Sequence, residues 1–358
     1  MSIDVERTDD GWNEYVERAR WTGPFHRTEA LETIADHAGA TLYPLVGFKG
    51  QEPVGLFPAF EVSRGPVTAA FSPPPDLRVP YLGPAVLNME KLKRRKADRR
   101  LRRFVEGSLE WLRAEISPWY LNVRTAHGYG DVRPFQWADC EVTPRYTYVV
   151  DLSGDREELL MAFSSDARSN VRDGRDAGYF DVPASVDGSD HLRDPTPLGE
   201  DDGSSVAERG PEAIDRIVEQ VRNRYESQGI QFGVSAAFVR DLYDRLPDGH
   251  VRPYTCRVDG EFVGGILVME AGDAVYRWQG GVKTDADVDV AVNDLLDWAV
   301  MRDAAVRDLA AYDLVGADDP RISRYKAKFA PELSPFYTIE GGTRPARIAA
   351  SLYQRVRK

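Results

Sequence analysis

A chain of 358 residues, 42% of them hydrophobic, is long enough for two cores, and domains of about 150–200 residues are the natural expectation. No stretch nears the roughly eighteen consecutive apolar residues of a membrane-spanning helix, and the acidic start MSIDVERTDDGW lacks the apolar segment of a secretory signal, so a cytoplasmic protein without a membrane span is expected. The net charge of −12, with 38 arginines against eight lysines, reads as adaptation to a high-salt (halophilic) cytoplasm and argues against DNA or any generic nucleic-acid ligand, whose phosphate contacts weaken steeply with salt.

Residues 12–39 carry apolar positions at helical spacing, interrupted at Gly23-Pro24 and ended by Gly39. Two apolar runs, 41–48 and 53–60, flank a KGQE turn and predict a hairpin. Pro53 and Pro58 mark its second strand as bent or at an edge. The proline-rich but apolar AAFSPPPDLRVPYLGPAVL predicts an ordered loop. Residues 91–116 form one basic helix with an apolar stripe of Leu92, Leu101, Phe104, Val105, Leu109 and Leu112. Its cations are either a solvated face or a surface for RNA or a phosphorylated donor. Strands over 119–125 and 145–152 complete a first domain, 1–145.

The pattern restarts in a second domain, 146–358. Leu152-Ser153-Gly154-Asp155 caps a helix, REELLMAFSSDARSNVRDGRDAGYFDVPAS, in which Arg168–Arg172 leads to Gly178-Tyr179 and another strand. Residues 187–210 are acidic and rich in Gly, Pro and Ser, so an insertion with little fold is expected, with His191 exposed in it. Helices follow at 211–226 and 236–246, and then strands at 251–258 and 262–270, turned by Asp259-Gly260. A third strand, 274–279, ends at Gly280-Gly281, and a long helix over 290–308 follows. The last stretch, AYDLVGADDPRISRYKAKFAPEL, is a short strand breaking at Gly316 into an acidic turn and a basic-aromatic segment. Such a strand end feeding a loop is where α/β proteins place chemistry.

This ordered series resembles the Fem-type branch of the GNAT N-acyltransferase superfamily, in which two GNAT-like domains are joined in one chain. The resemblance rests on Arg168-x-Asn170-x-Arg172, the hairpin GEFVGGILVMEAGDAVYRWQGG, the helix start AVNDLLDWAV and YKAKFAPEL, close to the family's aromatic-Lys-x-x-Phe-Gly signature. It implies an α/β (α+β) fold of two tandem GNAT-like domains, each a mixed, mostly antiparallel sheet flanked by helices. It also implies N-acetyltransferase-like chemistry: acyl transfer to a small-molecule or peptide amine from a coenzyme A thioester or, alternatively, an aminoacyl-tRNA. Ala330 stands where the family has Gly, and the glycine-rich pyrophosphate loop of single-domain GNAT enzymes is absent. Gly280-Gly281 with Asn293 is its nearest equivalent. These departures also leave open a catalytically inactive ligand- or partner-binding module.

Amide formation from an activated acyl donor needs a positioned amine, oxyanion stabilisation and a protonated leaving group. The resemblance assigns the oxyanion or leaving-group role to Lys326. Tyr325 and Phe329 either line the cleft or belong to the core. Arg168 and Arg172, four apart on one helical face, either bind an anionic substrate or are solvated. Tyr276 and Trp278 share one side of a strand, as a stacking wall or as core. Asp313 and Asp318 are the nearest carboxylates for amine deprotonation. No Ser-His-Asp arrangement supports covalent catalysis. The five histidines lack metal spacing, and Cys140 and Cys256 read as ordinary buried thiols.

Overall fold

The computed structural model describes residues 3–177, the backbone of 205–208, and residues 210–283, 286–343 and 345–348. Gly178-Tyr179 and His191 lie outside them, as does the acidic stretch 187–210 apart from 205–208 and Gly210. Residue contacts divide the chain into Met1–Tyr146 with Ser334–Lys358, and Thr147–Leu333.

The first unit contains β1 (Asp4–Arg7), α1 (Trp12–Arg18), α2 (Thr28–Ala38), β2 (Thr41–Lys49), β3 (Glu52–Arg64), β4 (Val67–Ser72), β5 (Ala85–Val86), α3 (Arg94–Glu115), β6 (Tyr120–Arg124) and α4 (Arg133–Trp137). Neighbouring strands follow the order β1-β2-β3-β4-β6, antiparallel except for β4 against β6. Pro53 and Pro58 do not put β3 at an edge: it pairs with β2 on one side and, on the other, with β5 at Gly55 and Leu56 and with β4 from Phe60 to Arg64, so that both prolines fall outside the paired stretches of that second side. The apolar stripe of α3 is buried from Leu101 to Leu112. Phe104 lies flat on two strand glycines, where a Cβ on Gly47 or Gly55 would come within 2.4 Å of its ring.

The parallel pairing of β4 and β6 stops at Ser72 and Val123, and the proline-rich loop enters there. Leu82 N–H donates to Arg124 O at 3.0 Å, Gly83 N–H donates to Ser72 Oγ at 3.0 Å, and Val79, Tyr81 and Leu82 are buried. His26 accepts from Gly23 N at Nδ1 and so carries its proton on Nε2, which faces Gly83 O at 3.2 Å. Burial holds its pKa down at about 4, which keeps the ring neutral.

The second unit follows β7 (Glu141–Asp151), which begins in the first unit. It contains α5 (Arg156–Ala162), α6 (Ser165–Asp176), β8 (Ser205–Glu208), α7 (Pro211–Glu226), α8 (Ala236–Arg245), β9 (Val251–Val258), β10 (Glu261–Ala271), β11 (Ala274–Val282), α9 (Val292–Val306), β12 (Ala311–Asp313) and α10 (Pro320–Lys326). The strands run β7-β12-β11-β10-β9-β8, antiparallel except for β11 against β12. Adjacent glycines of β10 show which helix covers each face. A Cβ on Gly265 would strike Ile217 of α7, and one on Gly264 would strike Val292 of α9, so the two helices lie on opposite faces. Phe163, Leu295, Trp298, Met301, Tyr312 and Phe329 are among the core residues on the α9 side.

Several elements differ from the sequence expectation, among them β4, which takes in residues 69–72 of the expected proline-rich loop. The helix expected through 156–176 is two helices, because Phe163 is extended and Ser164 N–H donates out to Lys328 O. Within the acidic stretch, Ser205–Glu208 is a strand antiparallel to β9, where pairing overrides a composition poor in strand formers. A further strand, β13 (Glu332–Gly342), pairs Thr338–Gly342 with β6 and returns the chain to the first unit.

Candidate active site

Strands β11 and β12 lie parallel for three residues only, Ala274–Tyr276 opposite Ala311–Asp313. Beyond them, Arg277–Val282 has no partner on the β12 side among the described residues. A register shift opposite Leu267 and Val268 gives β11 one extra residue at Trp278, which bends it locally. β12 meanwhile ends in a turn with Val315 at φ 52° and Gly316 at φ 86°. A β-branched residue in that conformation costs on the order of 1–2 kcal/mol, so the turn is held by other contacts. Asp313 Oδ1 accepts from Val315 N at 2.7 Å and from the Thr147 hydroxyl at 2.6 Å, and Thr147 Oγ1 accepts from Gly316 N at 2.9 Å.

The turn aims two carbonyls at one ammonium. Lys326 Nζ donates to Val315 O at 2.9 Å and to Gly316 O at 2.7 Å. It sits at the end of α10, whose N-terminus is fixed by Pro320 and by Asp319 accepting from Arg321 N and Ile322 N. The lysine is 6% exposed. Its pKa is pushed down to about 8, by burial first and by the Arg277 guanidinium second, with Asp297 and Asp313 opposing both. An ammonium has three donors, and two of them are used here among the described residues.

Behind it lies a buried charged network that sequence reasoning missed. Asp297 Oδ1 accepts from Arg277 Nε at 2.7 Å and from the Tyr312 hydroxyl at 2.6 Å, and its Oδ2 accepts from the Tyr325 hydroxyl at 2.6 Å. Burial, then the Asp297 charge, raises both tyrosine pKa values well above the ordinary range. The carboxylate holds the Arg277 guanidinium protonated despite its burial. The available signal was Asp294 and Asp297 in an otherwise apolar helix run, since a fully buried carboxylate is rare without a partner. Asp294 accepts from Asn170 Nδ2 at 2.5 Å and Lys328 Nζ at 2.7 Å, so Asn170 ties α6 to α9.

The other expected site residues have mostly internal partners. Arg168 caps α5 by donating to Met161 O and Phe163 O. Arg172 lies exposed on Met161 Sδ. Phe329 is core, edge-on to Phe163 and Tyr325. Trp278 is buried edge-on to Phe238 of α8, and Tyr276, also buried, sits opposite Asp313 in the strand pairing. Gly280 is required by strand packing, because its Cβ would lie 2.2 Å from Gly265 O at φ 122°. Gly281 O accepts from Gln220 Nε2, and Asn293 Oδ1 accepts from Val282 N at 3.0 Å. The three residues expected to cradle a pyrophosphate thus serve β11 itself. Asp318 is exposed in the turn before α10.

The family model for the acetyltransferase (GNAT) domain matches residues 195–327, which include Lys326 and the network around it. The crystal structure of FemX aligns over 99% of this chain and 100% of its own, with a TM-score of 0.67 at 13% identity. The protein has a Fem-like GNAT fold. A tandem GNAT protein from the clavulanic acid biosynthesis pathway is similar over 96% of this chain and 99% of its own (TM-score 0.51, 14% identity). So is the C-terminal domain of a putative lysylphosphatidylglycerol synthetase from Agrobacterium fabrum, over 95% of each chain (TM-score 0.53, 13% identity). No curated protein matches the sequence.

Proposed function

We propose that the second unit is an N-acyltransferase that moves an acyl group from an activated donor, an acyl-CoA in the favoured reading, to an amine acceptor by direct attack. The observation that carries this reading is Lys326: a buried ammonium, held by two carbonyls of a strained turn, at the point where β11 and β12 part. The amine nitrogen attacks the acyl carbonyl and forms the C–N bond. The C–S bond breaks and the leaving sulfur takes a proton from Lys326; the proton shed by the newly bonded nitrogen then returns to the Lys326 amine, which restores the ammonium. Near neutral pH Lys326 is charged yet close to its pKa of about 8, which suits both oxyanion stabilisation and proton donation. Asp313 is given the role of shaping the turn and keeping Lys326 charged, since its Oδ1 already accepts two hydrogen bonds. The unpartnered edge of β11 from Arg277 onward offers backbone groups to an amide-bearing donor arm. Trp278 supports that strand from the α8 side, and Tyr276 does so beside Asp313.

An aminoacyl-tRNA donor is the second reading. It is favoured by the likeness to the lysylphosphatidylglycerol synthetase domain and by the exposed cations Lys93, Arg94, Arg95, Lys96 and Arg99 at the start of α3. The test is thermal shift with coenzyme A, acetyl-CoA, longer acyl-CoAs and deacylated tRNA, run in parallel with transfer assays on native protein and Lys326→Ala. The expected outcome is a CoA-specific shift in both proteins, with transfer lost in the variant. A shift with tRNA alone, abolished by charge reversal on α3, selects the second reading. Binding without transfer by the native protein overturns both in favour of a ligand-binding module.

A further inference from the structure

Asp297 gathers side chains from three other elements. Arg277 comes from β11, Tyr312 from β12 and Tyr325 from α10, and the carboxylate itself stands on α9 with no measurable exposure. Tyr325 immediately precedes Lys326, so the hydroxyl on Asp297 Oδ2 sets the roll of α10 about its axis and with it the direction of the lysine. The charged groups facing Lys326 are Arg277 of β11, Asp297 of α9 and Asp313 of β12. The phenols nearby are Tyr276, Tyr312 and Tyr325, all buried or nearly so and all held protonated. Arg277 and Asp297 therefore meet the ammonium as a nearly neutral pair only while both are intact.

We propose that Arg277 and Asp297 are positioning residues for Lys326: the buried pair fixes α10 through Tyr325, and its charge balance decides whether the lysine is held as an ammonium or as an amine. The inference rests on the role given to Lys326 above. Neutralising Asp297 leaves the guanidinium uncompensated beside Lys326 and drives the lysine toward the neutral amine. Neutralising Arg277 does the reverse. Removing both charges returns the lysine close to its native behaviour. A network that served packing alone would lower stability in all three without moving the titration in opposite directions.

The chain's eight lysines make this readable one side chain at a time. With lysine labelled by 13C at Cε, Lys326→Ala assigns the Lys326 resonance, and its pH titration gives the midpoint in the full chain whether or not any reaction occurs. The expected result is a midpoint near 8 in the native protein, lower by about one pH unit or more in Asp297→Asn. It should be higher in Arg277→Gln and near native in the double variant. Tyr325→Phe, nearly isosteric and so able to fold if the charge variants do not, takes one donor from the carboxylate and should raise the midpoint. Midpoints that stay within about 0.2 pH units in every folded variant, or move in one common direction, overturn the proposal. A native protein that titrates as expected but transfers no acyl group sinks the catalytic reading and leaves the charge balance standing.

Discussion

Replacing Lys326 with Met removes a charge from a site that disfavours it, and the effect on stability depends on pH with a definite sign. The folded-state pKa, about 8, lies below the ordinary 10.5, so between those values the unfolded chain binds more protons than the native one. Stability of the wild type therefore rises with pH through this window. It is fully present above 10.5 and is lost as pH falls toward 8. At about 1.4 kcal/mol per tenfold, the burden on the charged form is roughly 3 kcal/mol at pH 7, and some 2–3 kcal/mol of it is relieved by pH 10. Lys326→Met has no such dependence. It also leaves Val315 O and Gly316 O without their donor, costing about 1–3 kcal/mol at any pH. The variant should thus be close to wild type at pH 7 and less stable by about 2–3 kcal/mol at pH 10. Urea denaturation of both proteins at half-unit steps from pH 7 to 10 measures the difference directly. A difference in unfolding free energy that changes by less than about 1 kcal/mol across that range would refute the argument, because it would mean the lysine is not held in a charge-averse site.

Gly280→Ala should destabilise by about 3 kcal/mol in the same assay, since its Cβ meets the backbone of β10 and its φ of 122° disfavours any side chain. Asp319→Ala removes the cap of α10 and should cost about 1 kcal/mol while lowering transfer more than an equally destabilising change in α1. Arg168→Ala, which uncaps α5, should lower the thermal midpoint. Arg172→Ala, on an exposed contact with Met161, should leave stability within about 0.5 kcal/mol.

The tandem mixed-sheet fold was legible because its signals are local. The stripe of α3, the Asp259-Gly260 hairpin and the Asp155 cap each lie within a few residues of the structure they specify. The elements missed were fixed by distant partners. β13 is a strand because β6 is there to pair with it, more than two hundred residues earlier. The break between α5 and α6 depends on Lys328 O, and the Ser205–Glu208 strand depends on β9. The site was legible as far as its terminal stretch, since a strand end, a Gly turn and a basic-aromatic segment are contiguous in sequence. Its charge network was not, because Arg277, Asp297, Tyr312 and Tyr325 come from four elements and have no common spacing. For the same reason Arg168 and Gly280, plausible ligands by spacing, have internal tasks that only their neighbours reveal.

Among the described residues, each unit contains one pair of parallel strands that soon part, β4 with β6 and β11 with β12, and of these the first is stoppered by its own chain, with Tyr81 and Leu82 buried there and His26 fastened to Gly83 O. The consequence is one of stoichiometry. A chain built from two like halves should saturate with a single equivalent of donor, and calorimetric titration should show one class of site where the architecture alone would suggest two.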